Sequence, residues 1–243
     1  MEGPSLIILK ELVKPFKGKK ILNASGTSTV LDFKELVGQK ILGFSTWGKH
    51  FLISLSKFSL RIHFLMFGSY RINEQKEAKA RLHLKFDSGE LNFYTCSVVK
   101  LEQELDELYD WRTDVMSIHW NEAKARRKIK QRPEEMVSDI LLDQTIFSGV
   151  GNIIKNEVLF RIKVHPETLV GDLPPRKLTA LIREARNYSF DFYRWKKLFV
   201  LKKHWLIYTK KKCPECKGPV KKVYSGQTKR RSFFCGHCQV LYS

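Results

Sequence analysis

Apolar residues recur along this chain in two rhythms, and the change from one to the other divides it. Over residues 4–14, Leu6, Leu9, Leu12 and Val13 fall at helical spacing behind Pro4, a residue suited to a first helical turn. The spacing predicts a short helix closed by Pro15 and Gly18. From there to about residue 118 the rhythm is two. The runs 21–24, 41–44, 51–55, 60–64, 81–86 and 91–94 are short and alternating, with Gly, Ser, Asp and Asn between them. They predict an antiparallel sandwich or barrel, with Asp87-Ser88-Gly89 as a hairpin turn. Past residue 133 the helical rhythm returns, over 134–147, 152–162 and 175–196. Pro174-Pro175 opens the last of these, and Leu178, Leu181, Ile182, Ala185 and Phe192 form its buried side.

Charge narrows the partner. Lys plus Arg number 44 against 25 acids, a net +19, which calls for a polyanion. No apolar run is long enough to cross a bilayer, and Met1-Glu2-Gly3-Pro4 lacks the basic start of a signal peptide. The expectation is a soluble intracellular nucleic-acid binder, in the cytoplasm or at the nucleoid. Basic residues are densest at Lys124, Arg126, Arg127, Lys128, Lys130 and Arg132, read as a connection between domains or a solvated helix face.

The cysteines point to a metal. Cys213 and Cys216, then Cys235 and Cys238, make two CxxC knuckles around a short basic segment. Four thiolates fill a tetrahedral Zn²⁺ shell and leave no open position, so the ion is structural. A segment this small cannot build its own core, so the metal supplies much of its folding free energy. Cys96 stands alone and reads as a buried apolar residue.

One stretch, 141–165, carries more than periodicity. Its helical run is interrupted at Gly149-Val150-Gly151 and resumes at Asn152, a helix–tight turn–helix whose second helix begins with free N–H groups able to hold a phosphate. Spacing alone fits a plain helical hairpin. Asp143, Gln144, Gly149, Gly151, Asn152, Glu157, Leu159, Phe160, His165 and Pro166, however, give DQ-x4-G-x-GN, then E-x-LF, then HP. That pattern resembles the helix–two-turn–helix of the formamidopyrimidine-DNA glycosylase and endonuclease VIII family. The resemblance extends to Glu2-Gly3-Pro4, Trp47-Gly48-Lys49-His50, the run 63–68, and Arg230 placed five residues before Cys235.

The resemblance implies a base-excision-repair DNA glycosylase with abasic-site lyase activity, acting as a monomer on damaged duplex DNA with the target base flipped out. It implies an α+β multidomain fold: an N-terminal antiparallel β-sandwich with an N-terminal helix, a helix–two-turn–helix domain, and a C-terminal four-cysteine zinc finger. The expected domains are a catalytic sandwich over 1–118, a linker over 119–133, the helical DNA-binding domain over 134–205 and the finger over 206–243. Catalysis falls to the amine of residue 1, with Glu2 as acid and with Lys49 and Arg230 on the flanking phosphates. Read without the family, Lys49 is a turn lysine and Arg230 a surface residue. Met66 plugs the gap left by the extruded base, where the bare sequence allows a core methionine equally well. His63, Arg81, Asn152, Lys155 and Arg231 are the remaining expected DNA contacts.

The sequence departs from the family in three places. Residue 1 is Met where the family has proline, and the bulk of Glu2 is expected to keep Met1 in place, its primary amine standing in for the secondary one. Ser5 replaces the usual glutamate. Residues 95–99 read Thr-Cys-Ser-Val-Val where formamidopyrimidine glycosylases carry an Arg-Arg-Phe loop, which points to the endonuclease VIII branch and to oxidised pyrimidines. Two other functions compete: a lesion-binding protein with impaired chemistry, because proline is absent, and a zinc-ribbon RNA binder, which leaves Glu2 and the 47–50 loop without a purpose.

Overall fold

A computed structural model describes residues 1–227 and 229–243. The chain forms two compact units: one is Ser5–Asp110 with Met1, the other Trp111–Ser243 with Glu2–Pro4.

The first unit is β-rich. Helix α1 (Gly3–Leu12), which belongs to this unit from Ser5 onward, leads into strands β1 (Asn23–Ser25), β2 (Ile41–Trp47), β3 (His50–Leu55), β4 (Ser59–Ile72), β5 (Leu82–Phe86) and β6 (Gly89–Leu101), followed by one turn of helix, α2 (Leu105–Leu108). The strands join antiparallel in the order β1-β5-β6-β4-β3-β2. The expected hairpin at 87–89 is present, Phe86 pairing with Gly89. Strands β4 and β6 run much further than their apolar alternation suggested. They pair over 59–64 with 96–101, and again over 69–72 with 91–94, with a register shift between Phe64 and Ser69. Phe51 and Phe64 both pack against Phe93 in the core of this unit, at centroid distances of 6.1 and 6.2 Å. Leu6, Leu9 and Val13 of the first helical stretch seal this core, whereas Leu12 is half exposed. Each fully buried Leu, Ile or Phe contributes roughly 1.5–3 kcal/mol. Cys96 is buried among them, its thiol pushed up to about 12 by burial, as an apolar role requires.

The second unit holds α3 (Glu122–Lys130), α4 (Val137–Leu142), α5 (Asn152–Arg161), α6 (Pro175–Lys197) and a hairpin of β7 (Val220–Ser225) and β8 (Arg230–Cys235). The basic stretch read as a connection contains α3, which Asn121 caps and which buries Ala125 and Ile129 in the helical core. Helix α4 stops well short of residue 147. Asp143 takes the Thr145 N–H on its carboxylate at 2.7 Å and is bound by Arg132, and that local turn outcompetes further helix. The expected side of α6 is buried, together with Tyr188 and Ser189. Phe160, Ile207, Phe233, Cys213 and Cys235 form a small core under the cysteine knuckles. Among the described residues no helix is long and apolar enough to cross a membrane.

Candidate active site and nucleic-acid interface

In the β-rich unit, Lys49 sits at the tip of the β2–β3 hairpin. Trp47 pairs with His50, leaving Gly48 and Lys49 as a two-residue turn, and Gly48 has φ 54, the left-handed value that favours glycine at the first turn position. His50 is opposite His63 in the β3–β4 ladder, with rings 5.4 Å apart. Trp47 and Tyr109 pack on the same cluster, Trp47 donating its Nε1–H to the Asp110 carbonyl at 3.0 Å. Burial, then the charge of Arg61 and of His63, holds the His50 imidazole down to about 4. His63 is lowered too, chiefly by burial and then by the positive charge of the amine of residue 1, with a hydrogen bond to the Lys49 backbone acting the other way. The expected residues Met1, Lys49 and His63 are thus neighbours in one unit. Sequence reading gave no role to Arg61 or Tyr109, and it named His50 only as the last residue of the 47–50 motif; its place opposite His63 is visible once the two strands are paired.

The run 65–68 is the unpaired part of the β4 register shift. Leu65 is 49% exposed, Met66 75% and Phe67 82%, so Met66 is no core residue but the middle of an apolar projection. Residues 96–99, by contrast, pair with β4 within β6, and Thr95, at φ 49, is the β6 residue left out at the register shift. Arg81 gives a guanidinium N–H to the Thr27 carbonyl at 2.5 Å, which commits part of its donor set to the scaffold.

In the helical unit the start of α5 is the organising point. The Glu2 carboxylate accepts the Ile153 N–H at 2.7 Å and the Ile154 N–H at 3.3 Å, and the Gly3 N–H donates to the Gly149 carbonyl at 2.9 Å. The helix start was expected to be open to a phosphate; two of its free donors are instead taken by the chain's own second residue, an anion at the positive end of a helix. A Cβ on Gly151 would lie 2.4 Å from the Glu2 side chain, so any larger residue there displaces Glu2 from this position. Gln144 braces the turn, its amide donating to the Leu142 and Val150 carbonyls and accepting from the Gly149 N–H. Asn152 Oδ1 is buried with no partner.

Lys155 corrects an expectation. It is 1% exposed, its ammonium donating to the Arg231 carbonyl at 3.2 Å and to Ser232 Oγ at 2.9 Å, so it has no surface with which to meet a phosphate. Burial holds it down to about 8, against the opposing charges of Asp139 and Glu2. Beside it Asn156 donates to the Arg231 carbonyl and accepts the Phe233 N–H at 2.6 Å. Together they fix β8, from which the exposed side chains of Arg230 and Arg231 project. Asp139 accepts the Gln227 N–H in the β7–β8 turn, and Glu157, fully buried, accepts the N–H groups of Leu206, Ile207 and Tyr208. These hydrogen bonds across long sequence separations had no signal in composition or spacing.

The Sγ atoms of Cys213, Cys216, Cys235 and Cys238 all lie within 4.8 Å of one another, with Cys213–Cys238 at 3.8 Å and Cys216–Cys235 at 3.4 Å. Metal–sulfur bonds of about 2.3 Å in a tetrahedron put sulfurs about 3.8 Å apart, so four thiolates fit one ion here. Gln239, just past the last ligand, accepts the Cys235 N–H and donates to the Val164 carbonyl, joining the knuckles to the helical core.

Comparison with known proteins agrees with this geometry. A profile for the formamidopyrimidine-DNA glycosylase N-terminal domain matches residues 7–96, and one for the formamidopyrimidine-DNA glycosylase H2TH domain matches residues 113–188. "Endonuclease 8-like 3" of Xenopus laevis is 33% identical over 221 residues, covering 86% of this chain but 36% of that protein. The chain spans 34–41% of the length of this relative and its mammalian counterparts. "Formamidopyrimidine-DNA glycosylase" of Aliivibrio fischeri is 26% identical, covering 86% of this chain and 84% of that protein. The solved Lactococcus lactis formamidopyrimidine-DNA glycosylase, non-covalently bound to DNA containing an abasic site, superposes with a TM-score of 0.86 at 25% identity over 98% of this chain and 99% of that one. A viral DNA glycosylase shares the fold, with a TM-score of 0.85 at 21% identity over 99% of this chain and 100% of that one.

Proposed function

Since the chain belongs to the formamidopyrimidine-DNA glycosylase and endonuclease VIII family, we propose that it excises oxidised bases from DNA, pyrimidines first, and then cuts the strand at the abasic site. The observation that carries this reading is the anchorage of Glu2 on Ile153 and Ile154. It fixes the first residues of the chain, and because Met1 and Glu2 are consecutive, an amine and a carboxylate are delivered to one place.

An α-amino group has an ordinary pKa near 8, so roughly a tenth or more is neutral at pH 7, far more than for a free lysine. The neutral amine attacks C1′ of the flipped nucleotide. The C1′–base bond breaks and the departing base takes a proton from water; the Glu2 carboxylate takes the proton that the attacking amine gives up and passes it to the ring oxygen as the C1′–O4′ bond opens, and an imine forms. Loss of a C2′ proton expels the 3′ phosphate, and a second elimination expels the 5′ phosphate. Lys49 and Arg230 take the flanking phosphates and balance the charge that develops on them. Met66, between Leu65 and Phe67, fills the space the base vacates. His63 with Asn152 and Arg231 complete the DNA contacts. The four cysteines hold one structural Zn²⁺, and the protein acts as a monomer. In domain terms, residues 1–118 carry the nucleophile, 134–205 grip DNA and 206–243 present Arg230.

Borohydride reduction during turnover of duplex DNA with an oxidised pyrimidine tests this. The expected product is a covalent protein–DNA adduct that peptide mass analysis assigns to residue 1. Persistent DNA binding with neither adduct nor nick overturns catalysis and leaves a lesion-binding protein, the reading favoured by methionine in place of proline. Installing proline ahead of Glu2 then restores activity.

A further inference from the structure

Helix α6 ends on a strained residue. The Phe199 N–H donates to the Lys196 carbonyl at 3.1 Å and the Val200 N–H to the Trp195 carbonyl at 2.9 Å. These are the two closures of a Schellman turn, which needs a left-handed residue just past the helix, usually glycine. Here it is Phe199, with φ 59, the one aromatic residue at positive φ among the described residues. The ring recovers nothing by packing. It is 96% exposed, more than any other large apolar side chain among the described residues, and Leu198 beside it is 69% exposed. The corner beneath is braced, not loose: Trp195 lies flat on His204 at 4.1 Å and 4°, the Arg161 guanidinium sits 5.6 Å from the Trp195 ring, and Phe192 and Leu201 are buried. Strain at a braced position with an outward-facing ring marks function more often than defect.

The surroundings say what the ring meets. Lys196, Lys197, Lys202 and Lys203 are all exposed, and Asp191, the acid within 191–204, is paired with Arg194 and Arg161. The ammonium groups call for a polyanion and the ring for a flat apolar face. A nucleic-acid strand with an unstacked base offers both; a fully paired duplex offers the charge alone. An anionic membrane would need a broader apolar face than two adjacent side chains. We propose that Phe199 is a stacking platform for an unpaired base, with the four lysines holding the phosphates on either side of it.

This rests on the nucleic-acid-binding part of the preceding reading and not on its chemistry, so the test uses undamaged DNA and the full chain. The probes are an oligothymidylate of about 12 nucleotides and a duplex of the same length. Phe199→Ala is expected to weaken single-strand binding about tenfold and to leave duplex binding within about twofold. Phe199→Trp keeps the affinity and adds a fluorescence signal that the single strand quenches. Phe199→Gly weakens binding like alanine while raising the thermal midpoint by about 2–4 °C, because the strain is gone. Wild-type single-strand affinity in Phe199→Ala, or an equal loss on the duplex, overturns the proposal. So does binding to phosphatidylserine vesicles that Phe199→Ala abolishes while DNA binding is untouched. Absence of an N-terminal adduct would remove the catalytic reading and leave these binding results standing.

Discussion

Glu2 is the residue through which the smallest change should be felt most. Gly151→Ala places a Cβ where the Glu2 side chain lies, 2.4 Å away, so the carboxylate must leave Ile153 and Ile154. The lost cap costs about 1 kcal/mol, a fall of about 2–4 °C in thermal midpoint. Abasic-site nicking is expected to fall much further, by tenfold or more, in a gel assay. Equal, small losses of stability and activity would show that Glu2 only caps a helix. Lys155 gives a pH signature. Burial brings its folded pKa to about 8 from an ordinary 10.5, so between those values the unfolded chain holds more protons than the native one. Stability therefore rises with pH across that window, and below it the cost of the buried ammonium is fully present. Relative to Lys155→Met, the wild type should gain stability from about pH 8 to about pH 10 in denaturant titrations. Parallel curves would mean the ammonium keeps its proton.

At the scale of elements, the β4 register shift is what puts Leu65, Met66 and Phe67 into solvent. Residues 65–68 leave the ladder there, and these three side chains are exposed. Met66→Ala should leave the denaturation midpoint unchanged within about 0.5 kcal/mol, yet lower base excision on lesion duplex several-fold in single-turnover assays. A matching loss of stability would return Met66 to the scaffold. Helix α5 works in the opposite sense. Its first turn holds Glu2, its second holds β8 through Lys155 and Asn156, and Glu157 holds the 206–208 segment. One helix therefore registers the amino-terminal residues against the strand that carries Arg230.

At the scale of the whole molecule, a net charge of +19 makes binding electrostatic first. With about four phosphates neutralised, affinity for any duplex should fall about a hundredfold between about 50 and about 200 mM salt. A flat salt response would remove the phosphate clamps. Stripping metal with a strong chelator should unfold the cysteine knuckles and abolish DNA binding, and one equivalent of Zn²⁺ per chain should restore both, read by circular dichroism and metal analysis. Full binding by the metal-free protein would make the cluster dispensable.

Local chemistry decided much of this protein in advance. The alternation that makes strands, the helical stripe of α6, the two-residue turn around Gly48 and the cysteine spacing are properties of neighbours in the chain, so the residues alone specify them. The family pattern around Gly149 and Gly151 was equally local, which is why the helix–two-turn–helix could be placed before any coordinates. What the chain could not show is whatever depends on partners far away in sequence. Strands β4 and β6 extend to residues 72 and 101 because each supplies the other's hydrogen bonds, not because their side chains alternate. Lys155 looks like a surface cation until β8 closes over it, and Glu2 meets a helix 151 positions away. Burial and long-range hydrogen bonding arise only when distant segments exclude water together, and tertiary structure alone decides where that happens.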